Sequence, residues 1–331
     1  MISNKKSSIL LVLKILEEYS DEEHYLTQND IASKILELYG IELERKGIAS
    51  SLNLLEELDY DIDKGPKGGY ALLSRTFDQT EATYLIDALF SSRSVDGKQA
   101  KHIADAISSC FSRYQRKDYK YIYKSTEINR TNNKEVLYNI SVIQDAIKEG
   151  KRIGFKYLSY DENGNRIARN NGFEYIISPY YPINNFGRYY LLCNYREKYG
   201  ALSVYRIDYM MDIAIKDDWP IKKMEDLKDA PKDFSISKYL NDHIYLFGGE
   251  VVDAELELEN VLAIQYIKDW FGDNAKIRKK EDKISVKLRC DEEALYYWII
   301  QYSEYVKVIS PQSLVDKIKH GLKSALDKYS D

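Results

Sequence analysis

The turn Lys64-Gly65-Pro66-Lys67-Gly68-Gly69 closes a run of three short amphipathic segments, and that order leaves few folds open. Ser7 or Ser8 can cap a first helix, in which Ile9, Val12, Leu13 and Leu16 recur at helical spacing. Thr27, with Asp30 three residues on, predicts the N-cap of a second helix running to Tyr39. Its inner stripe is Ile31, Ile35 and Leu38, and Gly40 suits the left-handed residue that ends it. A third helix is predicted from Arg45 to Leu58, with Ile48, Leu52 and Leu55 facing inward. A strand at Tyr60–Ile62, the glycine-rich turn and a return strand at Tyr70–Leu72 complete the order of a winged helix-turn-helix.

With 331 residues the chain exceeds one ordinary core. Two helical patterns between Asp78 and Tyr114, parted by Val95-Asp96-Gly97, lead into a basic, tyrosine-rich connector with Arg113, Arg116, Lys117, Lys120, Lys124 and Arg130. A helix from Glu135 to Glu149 precedes several short strands, with a hairpin turn at Asp161–Asn165, and this suggests a small barrel. The charged segment Trp219–Asp233, with Pro220 and Pro231, reads as a linker. The remainder spells a βαββαβ order and a final helix, for which Ser310 is the expected cap and Pro311 the first helical residue. The expectation is an α+β multidomain chain: winged helix at 1–75, helical connector at 76–134, β-barrel domain at 135–218 and ferredoxin-like extension at 235–331.

Charge limits what such a head can bind. Through Arg75 it carries nine bases against fourteen acids, and the whole chain is at −5. Duplex binding must therefore rest on where the few cations sit. At 100° per residue Lys46, Ser50 and Asn53 lie opposite the apolar stripe of the third helix, with Arg45 at its mouth. Hydroxyl, amide and cationic groups there suit base edges and phosphates. Lys64 and Lys67 flank the turn and suit a phosphate backbone.

In the barrel segment, strand alternation puts Arg188 and Tyr190 on one face, and Arg206 with Val204 and Asp208 on one face. The two arginines with Tyr157, Ser159, Ser178 and Tyr180 can form an anion site, because guanidinium groups grip phosphate bidentately. The alternative is structural: Arg206 pairs with Asp208, and the tyrosines fill a core.

Several motifs resemble the WYL family of bacterial regulators. Gly187-Arg188-Tyr189-Tyr190-Leu191-Leu192 is similar to the family's Trp-Tyr-Leu string, with tyrosine at its first position. Ile153-Gly154-Phe155-Lys156-Tyr157-Leu158-Ser159, Ile177-Ser178-Pro179-Tyr180 and Val204-Tyr205-Arg206-Ile207-Asp208 resemble its neighbouring strands, with Tyr209 at the usual second arginine. Val306 to Leu314 resembles the closing motif of the WCX extension. The resemblance implies a homodimeric transcription regulator in which an Sm-like barrel senses an effector, for some members a nucleic acid or nucleotide. Two winged helices on successive major grooves would read an inverted-repeat double-stranded operator. Relatives regulate DNA-damage responses and antiphage defence. They commonly carry Arg and Asp where Ser50 and Ser51 stand, so this chain's base preference should differ. The alternative is an accessory module that binds nucleic acid through the barrel while its winged helix reads no operator.

Catalysis and cofactors are not expected: no nucleophile elbow, HExxH, Walker or dinucleotide pattern is present. Asp59, Asp61 and Asp63 alternate along the predicted wing strand as ordinary outward positions. Cys110, Cys193 and Cys290 have no metal spacing and no disulfide pattern, which fits a reducing cytoplasm. No apolar run reaches the ~20 residues a membrane span requires.

Overall fold

The computed structural model describes residues 8–117, 119, 130–195, 202–228, 234–281 and 283–329. The chain divides into two compact units, Met1–Leu137 with Asn185–Arg188, and Tyr138–Asn184 with Tyr189–Asp331.

The first unit opens with helices α1 (Ser8–Tyr19), α2 (Gln28–Tyr39) and α3 (Arg45–Glu57). Thr27 and Asp30 form a reciprocal capping box, and Gly40 takes φ 66° at the C-terminus of α2. Val12, Leu16, Ile31, Ile35, Ile48 and Leu52 meet in one core, each no more than 2% exposed. Leu38, expected in the inner stripe, is instead 50% exposed. Its angle is right, but the last turn of α2 runs past the packed core. Strand β1 (Ile62–Lys64) pairs with β2 (Tyr70–Leu72), so the wing begins two residues later than expected. The cause is local: Asp59 adopts φ 65°, and the Tyr60 N–H still donates to the Leu55 carbonyl at 3.0 Å. Asp59 and Asp61 thus precede the strand rather than alternating along it. Leu26 and Tyr70 exchange backbone hydrogen bonds of 2.9 and 2.8 Å, adding a third edge to the wing.

In the connector, α4 (Gln79–Ser91) and α5 (Gly97–Ser108) begin at side-chain caps from Asp78 and Asp96. Ala82, Ile86, Phe90, Ala100, Ala104 and Phe111 form its core. Arg130 donates to the carbonyls of Phe90, Ser92 and Val95, so one cation of the basic stretch serves to close carbonyl ends. Lys120 and Lys124 lie outside the described residues. The turn Asn185–Arg188 belongs to this unit: the Gly187 carbonyl accepts from the Arg93 N–H at 2.9 Å and the Ser94 hydroxyl at 2.7 Å.

The second unit follows α6 (Val136–Glu149) with β3 (Lys151–Tyr160), β4 (Arg166–Ala168), β5 (Glu174–Asn185), β6 (Arg188–Tyr195), β7 (Ser203–Arg206) and β8 (Met210–Pro220). The strands follow the order β4-β3-β5-β6-β7, with β8 also on β3. The first half of β3 lies between β5 and β8, and its second half pairs with β4. Trp219 and Pro220, expected in a linker, end β8, while Pro231 lies outside the described residues. A short helix that no sequence pattern announced, α7 (Ile236–Asp242), buries Tyr239 against Ile183, Leu192 and Leu246.

The last elements are β9 (Val251–Leu258), α8 (Ala263–Phe271), β10 (Lys276–Lys280), β11 (Lys283–Asp291), α9 (Glu292–Gln301), β12 (Val306–Ser310) and α10 (Gln312–Asp327). Their sheet is antiparallel in the order β10-β11-β9-β12. One face, carrying Leu256, Val286 and Leu288, packs on Trp298, Ile267 and Leu314 of the helices. Pro311 is extended, with φ −76° and ψ 162°, and is the N-cap of α10 rather than its first helical residue.

Candidate nucleic-acid interface and effector site

The α3 face expected to read DNA is open. Lys46, Ser50 and Asn53 are all exposed, while Ser51 turns inward and donates to the Gly47 carbonyl at 2.9 Å. Arg45, exposed at the start of α3, is oriented from behind. Its Nε donates to Gln28 Oε1 at 3.0 Å, and Gln28 Nε2 donates to the Tyr70 hydroxyl at 3.4 Å. That chain ties the mouth of α3 to α2 and to the wing.

The wing carries its two lysines differently. Lys67 sits exposed at the turn with φ 60°. Lys64 is tied to Glu56 of α3 at 2.9 Å, and this carboxylate hydrogen bond holds the ammonium above its ordinary pKa. The Glu56 carboxylate, which on its own would repel phosphate, is thereby partly neutralised inside the protein. Gly65 gives the ring of Tyr25 room to lie against the turn, where any Cβ would collide with it. The Tyr25 hydroxyl donates to Asp63 at 2.6 Å, fixing the hairpin's base.

A polar hub that the sequence did not mark holds the head to its connector within this unit. Asp21, 4% exposed, accepts from the Ser112 hydroxyl at 2.5 Å and lies 2.6 Å from His24 Nδ1. The His24 ring stacks on Tyr114 at 3.7 Å, and Glu18 pairs with Arg116 at 2.5 Å. Burial opposes ionisation of Asp21, but hydrogen bonds from Ser112, His24 and the Glu23 N–H outweigh it and hold its pKa below 3.8. Partners 91 residues apart leave no periodic signal.

Among the described residues the expected effector side chains fall into separate groups. Tyr157 accepts the Arg206 N–H at 3.0 Å, and burial pushes its hydroxyl up to about 12. Arg206 grips Asp208 bidentately at 3.0 and 2.7 Å and lies 4.0 Å above the Tyr209 ring. Asp208 is 3% exposed, so the structural alternative for this pair is the arrangement found. The Arg206 Nη1 has no partner among the described residues, leaving one N–H edge for an anion. Tyr190 stands directly across from Arg206, which puts them on one face, beside the cluster under α7. Ser178 and Tyr180 face a different group: Ser178 accepts the Lys222 N–H at 3.0 Å, and Tyr180 donates to the Lys222 carbonyl at 2.7 Å. Both are buried and engaged with backbone. Ser159 lies farther along β3, opposite Ile167, and Arg188 falls in the first unit. Phe155, Tyr157, Tyr175, Tyr195 and Tyr205 pack ring on ring at 5.3–6.2 Å, filling the space beside β3 and β7. No group of metal-binding side chains occurs among the described residues, and none of their helices is long and apolar enough to cross a membrane.

The WYL domain model matches residues 138–215, and the WCX domain model matches residues 250–326. Proteasome accessory factor B/C (PafBC) of Arthrobacter aurescens is similar at 14% identity and a TM-score of 0.30, over 99% of this chain and 49% of that one. The chain thus spans about half the length of that protein. A CRISPR Cas-related protein of known crystal structure is similar at 13% identity and a TM-score of 0.41, over 98% of this chain and 84% of that one. No curated protein matches.

Proposed function

From a chain that belongs to the WYL-domain proteins and carries a WCX extension, we propose a DNA-binding transcription regulator. Its winged helix reads an inverted-repeat, double-stranded operator as part of a homodimer, and the WYL unit takes up an effector. One observation carries this proposal: Arg45, Lys46, Ser50, Asn53 and Lys67 are all exposed on one helix and wing. Amide and hydroxyl groups at the front of a helix suit base edges, and the cations suit phosphates. The effector is an anion, a nucleic acid or nucleotide, approaching the free edge of Arg206 beside Tyr157 and Tyr190. It acts by binding the DNA-competent and DNA-incompetent dimers with different affinity, because equal affinity shifts nothing. The protein works in the cytoplasm by binding, without catalysis and without a cofactor; an antiphage-defence operon is a fitting target.

Footprinting on the DNA upstream of its own gene tests this proposal. A protected palindrome that vanishes in Lys46→Ala/Asn53→Ala is the expected result, whereas uniform cleavage at low salt contradicts it. The acidity of the head and the Glu56–Lys64 pair favour a second function, an accessory module that holds nucleic acid through the WYL unit alone. In that case single strands bind and no duplex sequence is preferred.

A further inference from the structure

The densest positive charge of this acidic chain is in the sequence of the WCX extension and not in that of the winged helix: residues 276–289 hold seven bases and two acids. They include β10 and most of β11. Ile284, Val286, Leu288 and Cys290 of β11 are buried under the helices, so the alternate residues Lys287 and Arg289 emerge on the other face. The register sets Lys276 opposite Lys287 and Arg278 opposite Ser285, and directly opposed residues share a face. Lys276, Arg278, Lys287 and Arg289 therefore stand together on the side of the sheet that no helix of the extension covers, and all four are exposed.

The next strand brings the opposite charge. Asp253 and Glu255 of β9 lie opposite Arg289 and Lys287, about 4.8 Å across the ladder. A groove of about 460 Å³ runs between the two columns, bordered by Asn274, Lys276, Lys287 and Arg289 on one side and by Asp253 and Glu255 on the other. Glu255 holds Lys287 at 3.3 Å, whereas Lys276 and Arg278 form no ion pair with the described residues. Lysines on an edge strand also discourage pairing with other sheets. That accounts for β10, but not for β11, which lies inside the sheet between β10 and β9.

We propose that this face of the WCX domain is a second nucleic-acid site, one that holds a single strand with its phosphates along β10 and β11. Same-face residues on β10 are spaced by about 6.6 Å, a step comparable to that between phosphates of an extended strand. The carboxylate column distinguishes the occupant. An acidic peptide would meet repulsion at Asp253 and Glu255. An unpaired strand instead turns its base edges there, and carboxylates accept from exocyclic amino groups such as that of cytosine. The site depends neither on operator reading nor on Arg206.

Fluorescence anisotropy of the full chain with a labelled oligodeoxycytidylate of about 15 nucleotides, near the upper end of typical single-strand sites, tests the assignment. Lys276→Glu/Arg278→Glu should weaken binding about tenfold or more and flatten the log–log salt slope by about 1.4, because two phosphates are no longer neutralised. Lys276→Gln/Arg278→Gln, with an unchanged melting temperature, should fall in between. Lys319→Glu/Lys323→Glu, the same charge reversal on exposed lysines of α10, should bind as the wild type does. The proposal is overturned if the Glu pair binds like the wild type, if the wild type does not retain the oligonucleotide in dilute buffer, or if polyglutamate competes as well as the oligonucleotide.

Discussion

The helix–wing head and the outer face of the WCX sheet are opposites in how they carry charge. The head has nine bases against fourteen acids through Arg75, with its useful groups confined to one tip; the β10–β11 hairpin has seven against two in fourteen residues. A surface rich in cations binds phosphate by charge alone, and salt weakens it steeply. A surface poor in cations gains affinity only where its hydrogen-bonding groups meet the right bases. On the functions proposed above, sequence choice falls to the head and unselective holding to the hairpin.

The largest expected effect separates the two regions. Lys46→Ala/Asn53→Ala removes two interactions worth about 1–3 kcal/mol each, and should lower operator affinity by about 30-fold or more. It should leave single-strand binding intact; an equal loss on both ligands would erase the distinction. Lys276→Glu/Arg278→Glu should do the reverse, about tenfold on single strands with the operator footprint unchanged. Glu56→Gln sharpens the comparison further, because it frees Lys64 from its 2.9 Å partner. Operator binding should tighten a few-fold and its salt slope steepen by about 0.9, read from titrations at several salt concentrations.

The smallest effect is on stability. Asp21 is held below its ordinary 3.8, so its contribution is full above that value and fades as pH falls through the depressed one. In acid titrations below about pH 4 the head should lose structure before the WCX sheet does. Asp21→Asn should flatten that loss, with the melting temperature followed by circular dichroism.

Local chemistry was the legible part of this molecule. The Thr27–Asp30 box and the glycine ending α2 act within a few residues, so their signals sit in adjacent letters. The wing's true start was hidden because Asp59 adopts a left-handed conformation that no glycine announces. Helix α7 has only seven residues, too few for a periodic pattern, and is held by distant Ile183 and Leu192. The effector residues illustrate the same limit. The Arg206–Asp208 pair spans two positions and could be foreseen as an alternative. The engagement of Ser178 and Tyr180 with Lys222 spans more than forty and could not. The charge of 276–289 is visible in the sequence, but only the ladder register shows that Lys276, Lys287 and Arg289 share a face.

The most direct test titrates the wild-type protein, at one fixed salt concentration, against duplex from its own promoter and against a scrambled duplex of equal length and composition. At least tenfold tighter binding to the promoter, abolished by Lys46→Ala/Asn53→Ala, is what a base-reading α3 requires. Equal affinity for the two duplexes, unchanged by the substitutions, would contradict it.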